Sequence, residues 1–143
     1  MGGHSRGEMT RELMGGRAAI CMRGEISLEN KGGFVQIALD LAPYGKVVDP
    51  VERVGIELDV IGNGDEYNVH LRTNTLARPR QSYRHVFKTF EKWRTVQLPF
   101  NQFVAHRTQL AFDSHRLRRI GVVAMGRAFT AELGIGGVRF MTR

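Results

Sequence analysis

Gly24-Glu25-Ile26-Ser27-Leu28-Glu29-Asn30-Lys31-Gly32-Gly33-Phe34-Val35-Gln36-Ile37 is the stretch whose reading decides the fold. Ile26 and Leu28 alternate with Glu25, Ser27 and Glu29, which gives one apolar and one wet face, the signature of a half-buried strand. Asn30-Lys31-Gly32-Gly33 supplies residues that tolerate positive φ, as a chain reversal requires. Val35, Ile37, Leu39 and Leu41 then resume the period of two. The segment reads as strand, turn, strand, with Gly32 and Gly33 at a corner and Phe34 in the core. It holds almost nothing that does chemistry.

The same period returns along the chain. Val54, Ile56, Leu58 and Val60 alternate with Gly55, Glu57 and Asp59, and Tyr67, Val69 and Leu71 alternate with Asn68, His70 and Arg72. Between them lies Gly62-Asn63-Gly64-Asp65, with an Asn-Gly pair of the kind hairpin turns favour, so these two strands are expected to pair antiparallel. Thr73 to Ser82 reads as a long loop. Tyr83 to Phe90 and Trp93 to Leu98 read as strands, and Phe100 and Phe103 as anchors that pin a loop to the core. Asp113 or Ser114 is placed to cap a single helical turn. Strands at Ile120–Ala124, Phe129–Ile135 and Val138–Phe140 close the chain. About eight strands without a long amphipathic helix predict an all-β fold, and uneven loops favour a jelly-roll β-sandwich of two antiparallel sheets over an up-and-down barrel.

Composition sets the outer limits. The 143 residues suit one domain spanning 1–143, and 42% hydrophobic with 24% charged residues is globular. No apolar run approaches the ~20 residues of a membrane-spanning helix, so an integral membrane protein is not expected. The N-terminus has no hydrophobic segment like a secretory signal, and a lone cysteine, Cys21, makes no internal disulfide. A cytoplasmic setting, with peripheral membrane contact allowed, is the expectation. The net charge of +7 is mostly arginine, densest at Arg78–Arg84 and Arg116–Arg119. No nucleic-acid-binding signature accompanies it, so nucleic acid is not the expected partner. The plain reading is a solvated surface. The more specific one is a basic face that meets an acidic protein or an anionic membrane.

Five ordered motifs add a resemblance. Met1-Gly2-Gly3-His4-Ser5, the Leu28-Glu29-Asn30-Lys31-Gly32-Gly33-Phe34 turn, Gly62-Asn63-Gly64-Asp65-Glu66-Tyr67, Trp93-Arg94-Thr95-Val96-Gln97-Leu98-Pro99-Phe100 with Phe103, and the closing strands from Arg119 to Ile135 resemble the complex I intermediate-associated protein 30 family. The resemblance implies a galactose-binding-like jelly roll, related in shape to carbohydrate-binding modules. It also implies a chaperone-like assembly role on respiratory complex I (NADH:ubiquinone oxidoreductase) and not an enzyme. A eukaryotic member would be mitochondrial. Family members usually carry a strand before Met-Gly-Gly, so this chain is expected to lack the first strand.

No nucleophile elbow, P-loop, dinucleotide fingerprint or zinc spacing is present, and neither a catalytic residue nor a metal or cofactor is expected. The candidate ligand-binding residues are polar positions on the strands: Asn68, His70, Arg72, Arg84 and His85, joined by Glu57 and Asp59. Together they are expected to line a polar concave sheet face, the kind of surface on which carbohydrate-binding jelly rolls hold sugar hydroxyls. Trp93 and Tyr83 are the available stacking rings. The plainer alternative is the solvent side of an antiparallel sheet, which is polar in any case. Glu57 and Asp59 sit on one strand face and do not straddle a cleft, so they are not evidence for glycosidase chemistry. Two functions follow: a protein-binding assembly factor and, as the alternative, a carbohydrate- or small-ligand-binding module.

Overall fold

The computed structural model describes residues 6–26, 34–40, 53–78, 81–125 and 129–142. Among them are ten strands: β1 (Arg6–Met14), β2 (Arg17–Ile26), β3 (Phe34–Asp40), β4 (Arg53–Gly62), β5 (Glu66–Thr73), β6 (Ser82–Lys88), β7 (Arg94–Pro99), β8 (Val104–His106), β9 (Leu117–Met125) and β10 (Phe129–Thr142). They form two five-stranded antiparallel sheets, ordered β1-β2-β10-β4-β7 and β3-β9-β5-β6-β8. The expected all-β sandwich is therefore the observed one.

Ile56, Leu58, Val60, Met22 and Leu133 of the first sheet meet Tyr67, Val69, Leu71, Ile120 and Val122 of the second in one core. Each such side chain contributes about 1.5–3 kcal/mol by leaving water. Phe100, in a 3-10 turn at Phe100–Gln102, is buried against Phe112, and Phe103 packs beside them, as anchors should. The 3-10 turn Ser114–Arg116 begins at Asp113, whose side chain accepts from the His115 N–H at 2.9 Å.

One expectation about pairing is corrected. β4 and β5 do not form a hairpin: β4 pairs with β10 and β7, while β5 pairs with β6 and β9. Their apolar faces lie opposite each other across the core, which buries both. A hairpin would set the strands side by side and bury neither against the other. The arch between them is tied down. The Tyr67 hydroxyl lies 2.8 Å from Asn63 Oδ1 and 3.1 Å from the Glu132 carbonyl, and accepts from the Glu132 N–H at 2.9 Å. Gly62 approaches Thr89 so closely that a Cβ would lie 2.3 Å from its Oγ1. The strands on either side of the opening turn, β2 and β3, belong to different sheets. Gly32 and Gly33 lie outside the described residues. Phe34 begins β3, and its side chain is also outside them.

β1 has no counterpart in the pattern analysis, because its polar run Arg6-Gly7-Glu8-Met9-Thr10-Arg11-Glu12 shows little alternation. It joins β2 through Gly15 and Gly16 at φ 55° and 79°, the left-handed pair a two-residue turn requires. The last two expected strands are one, β10, with a register shift between Ile135 and Gly137. Replacing Tyr67 by Phe removes the arch's hydroxyl bonds and is expected to cost about 1–2 kcal/mol in denaturant unfolding without changing the strand content by circular dichroism. An unchanged midpoint would show that the arch does not depend on them.

Candidate functional site

The two outer faces of the sandwich differ. On the first sheet, Glu57 and Asp59 of β4 share the outer face with Arg139 of β10 and with Thr95 and Gln97 of β7. Arg139 donates through Nη1 and Nη2 to the two oxygens of Asp59 at 3.0 and 3.1 Å, and through Nε to Glu57 at 3.1 Å. Arg17 reaches Asp59 at 2.9 Å, Thr95 Oγ1 donates to it at 2.7 Å, and Gln97 donates to Glu57 at 2.7 Å. Hydrogen bonds from Arg139 and Thr95, with Arg17 adding to them, hold the Asp59 carboxyl well below the usual carboxylate range. Both carboxylates are engaged by these donors, and Asp59 retains no proton for acid catalysis. The pair does not join the other candidates.

Asn68, His70 and Arg72 alternate outward on β5 while Tyr67, Val69 and Leu71 point inward. Register then sets their neighbours on the outer face of the second sheet. Asn68 lies between Val86 and Val123, His70 between Arg84 and Gly121, and Arg72 beside Arg119. Gly121 leaves the flank of His70 open: a Cβ there would come no nearer than 3.5 Å to any atom. The Arg72 guanidinium donates to the carbonyls of Arg78 and Gln81 at 3.1 and 3.3 Å, which ties it to the loop before β6. Four of the candidates, Asn68, His70, Arg72 and Arg84, therefore share one face.

His85 does not. It pairs with Val69, so it lies on the inner face at the sheet margin, its ring 5.4 Å from that of Phe103. The expected stacking rings are elsewhere too. Tyr83 is buried in the core with its hydroxyl donating to the Leu110 carbonyl at 3.0 Å. Trp93 lies by the β1–β2 turn, with Nε1 donating to the Met14 carbonyl at 2.7 Å and Arg17 over its ring at 4.9 Å. Residues that the pattern analysis did not single out complete the face: Gly121 and Val123 from β9, Val86 from β6, and Val104 and His106 from β8. Cross-strand register brings them there, and that is not visible in local alternation.

His70 is the electrostatic centre. Its Nε2 is buried and has no hydrogen-bond partner among the described residues. Burial, followed by the charges of Arg84 and His106, lowers its pKa to about 4. Cys21 is buried, and burial pushes its thiol pKa up, so it is an inert core sulfur. Among the described residues no group of His, Cys, Asp and Glu is arranged to hold a metal, and no helix is long and apolar enough to cross a membrane.

Comparison with known proteins agrees with this architecture. The family model of complex I intermediate-associated protein 30 matches residues 1–135. No curated protein matches the chain in sequence. Among solved structures, the chain is similar to a family 11 carbohydrate-binding module from Clostridium thermocellum in complex with a β-1,3-1,4-mixed-linked tetrasaccharide. The TM-score is 0.79 at 11% identity, over 99% of this chain and 85% of that one. A family 30 carbohydrate-binding module of a Clostridium thermocellum cellulosomal cellulase gives a TM-score of 0.67 at 13% identity, over 96% of this chain and 91% of the other. An agarase gives 0.64 at 8% identity, with 96% of this chain covering only 24% of the enzyme. At such identities the likeness is one of fold.

Two titrations test the contrast between the faces. His70 has a folded pKa below its unfolded value of about 6.5. The unfolded chain therefore takes up a proton that the folded chain refuses, and stability falls as pH drops from about 6.5 towards 4. His70→Gln is expected to remove that loss; a ring titrating near 6.5 by NMR would contradict it. Asp59 shifts in the same direction for the opposite reason, because its donors favour the charged form: its stabilisation is complete above its unfolded pKa and is lost as pH falls below that value. Asp59→Asn is expected to lower stability at neutral pH by about 1–3 kcal/mol and to flatten the acid limb of the unfolding profile.

Proposed function

This chain belongs to the complex I intermediate-associated protein 30 family, and we propose that it is a non-catalytic binding protein that assists assembly of respiratory complex I by docking a protein partner on the outer face of its second sheet. The observation that carries this reading is the asymmetry of the two faces. The first sheet neutralises its own carboxylates, whereas the second presents Arg84 and Asn68 among apolar neighbours, with no carboxylate paired to Arg84 among the described residues. Polar groups left unmatched within a fold are the ones a partner can satisfy, and arginine set among aliphatic side chains is a common interface composition. The carboxylate pair of β4 is bound up with arginines.

A second reading, a carbohydrate-binding module, draws on the polar cluster of Asn68, His70, Arg72 and Arg84 and on the fold it shares with such modules. Against it, the expected rings Tyr83 and Trp93 are engaged away from this face. Deleting the gene in the source organism is expected to reduce assembled complex I on native gels and to leave partial assemblies. Complex I at normal levels would remove the assembly role. Calorimetry with a β-1,3-1,4-linked glucan tetrasaccharide is expected to show no heat of binding; a signal abolished by His70→Ala would favour the sugar reading instead.

A further inference from the structure

Arg84 is a cation without a counter-charge among the described residues. Its side chain is half-buried midway along β6, where Nε donates to Ser82 Oγ at 2.9 Å and Nη1 lies 4.0 Å from the Met125 sulfur. Neither partner is an anion, and among the described residues no carboxylate pairs with it. A guanidinium so placed has surrendered part of its hydration without gaining an ion pair, and the fold bears that cost. By contrast Arg139, Arg17 and Arg23 all sit on carboxylates.

More positive character gathers beside it. His106 is two residues beyond Val104 on β8 and faces the same way, and the next residue, Arg107, brings its Nε within 3.3 Å of His106 Nε2. The Arg107 charge helps lower the pKa of both Arg84 and His106, after burial, so the three groups lie within electrostatic reach of each other. Arg107 is also the one described non-glycine residue at positive φ, 57°. That conformation costs a branched or long L side chain about 1–2 kcal/mol. The Gln81 side chain donates to the Arg107 carbonyl at 3.1 Å and holds the turn. Strain and like charge are thus concentrated at one margin of the second sheet. Flanking Arg84 are two of the most exposed large aliphatic side chains of the protein, Val86 along the strand at 48% and Val104 across it at 69%.

We propose that this β6–β8 margin docks an acidic segment of the protein partner, with a carboxylate settling between Arg84 and Arg107 and aliphatic side chains covering Val86 and Val104. The inference rests on the protein-binding reading above and adds the chemistry of the partner. Charge complementarity selects the occupant. A carboxylate supplies the anion that Arg84 lacks and relieves the repulsion between Arg84 and Arg107, while the valines exclude water around the pair.

The test is an NMR titration of the full chain with the peptide acetyl-Glu-Leu-Glu-Val-Glu-Leu-amide, with its Gln-for-Glu counterpart and with trigalacturonate as comparisons. The acidic peptide is expected to shift the amides of Val86 and of Val104 to Arg107. Arg84→Gln and Arg107→Gly are each expected to weaken binding about fivefold or more, and added salt to weaken it further. Glycine suits the left-handed backbone at 107, so that variant keeps its fold and reports the lost charge. Arg118→Gln, an exposed arginine of β9, is expected to bind as the wild type does. Equal binding of the Gln peptide, shifts confined to other strands, or binding of trigalacturonate alone would overturn the proposal. Such a failure would leave the complex I phenotype of the deletion strain untouched, so the patch and the assembly role stand or fall separately.

Discussion

The Tyr67 hydroxyl sits at the seam of the sandwich, and the arrangement of both faces depends on it. Its ring is fully buried in the core, while its oxygen links Asn63 of the arch to the backbone of Glu132 in β10. Those bonds hold the chain where it leaves the first sheet at Gly62 and enters the second at Glu66. Once the arch is set, the alternation of β5 leaves no choice: Val69 and Leu71 go inward, and Asn68, His70 and Arg72 go outward. One residue of slip would exchange the two sets. The outer face of the second sheet is therefore a consequence of how the core is closed.

The same closure separates the charges. Asp59 is nearly buried, and its two oxygens collect donors from β10, β7 and the β1–β2 turn, so one carboxylate fastens three strands. Gly137, at the irregularity in β10, lets Asp59 come close: a Cβ there would lie 3.0 Å from Oδ2. That face spends its polar groups on stability. The second sheet does not do so around Arg84 and His70: Arg84 has no carboxylate partner among the described residues, and the buried, unbonded Nε2 of His70 costs on the order of 1–3 kcal/mol. A fold retains such a cost where another molecule offsets it.

Much of this was legible in the sequence and some was not, for definite reasons. Period-two alternation located β4, β5 and β9 because each has one face in a single core, and β-forming residues located β6 and β7. The Asp113 cap and the Phe100 and Phe103 anchors were readable because they act within a few residues. Pairing was not readable. Gly62-Asn63-Gly64 has the composition of a hairpin turn, yet Tyr67 and the close approach of Thr89 make it an arch, and both contacts are with distant or later chain. The candidate site was divided for the same reason. Glu57 and His70 look equivalent as polar positions on alternating strands, and only sheet membership separates them. His85 differs from Arg84 by one residue and lies on the opposite face. Val86, Val104 and Arg107 carry no local signal; they matter because β8 is brought beside β6.

Family membership and fold constrain the function from outside, and the contrast between the faces constrains it from within. A jelly roll shared with sugar-binding modules has here a face whose uncompensated cation is bordered by exposed valines. Its expected aromatic rings are packed away or engaged at the other sheet. The account's central claim is that partners meet the second sheet and not the first. Hydroxyl-radical footprinting of the protein, free and in its native assembly from source cells, tests this most directly. Protection is expected at Val86 and Val104, with the first-sheet positions Trp93 and Met141 unchanged. Protection of Trp93 and Met141 with Val86 and Val104 still reactive would contradict it.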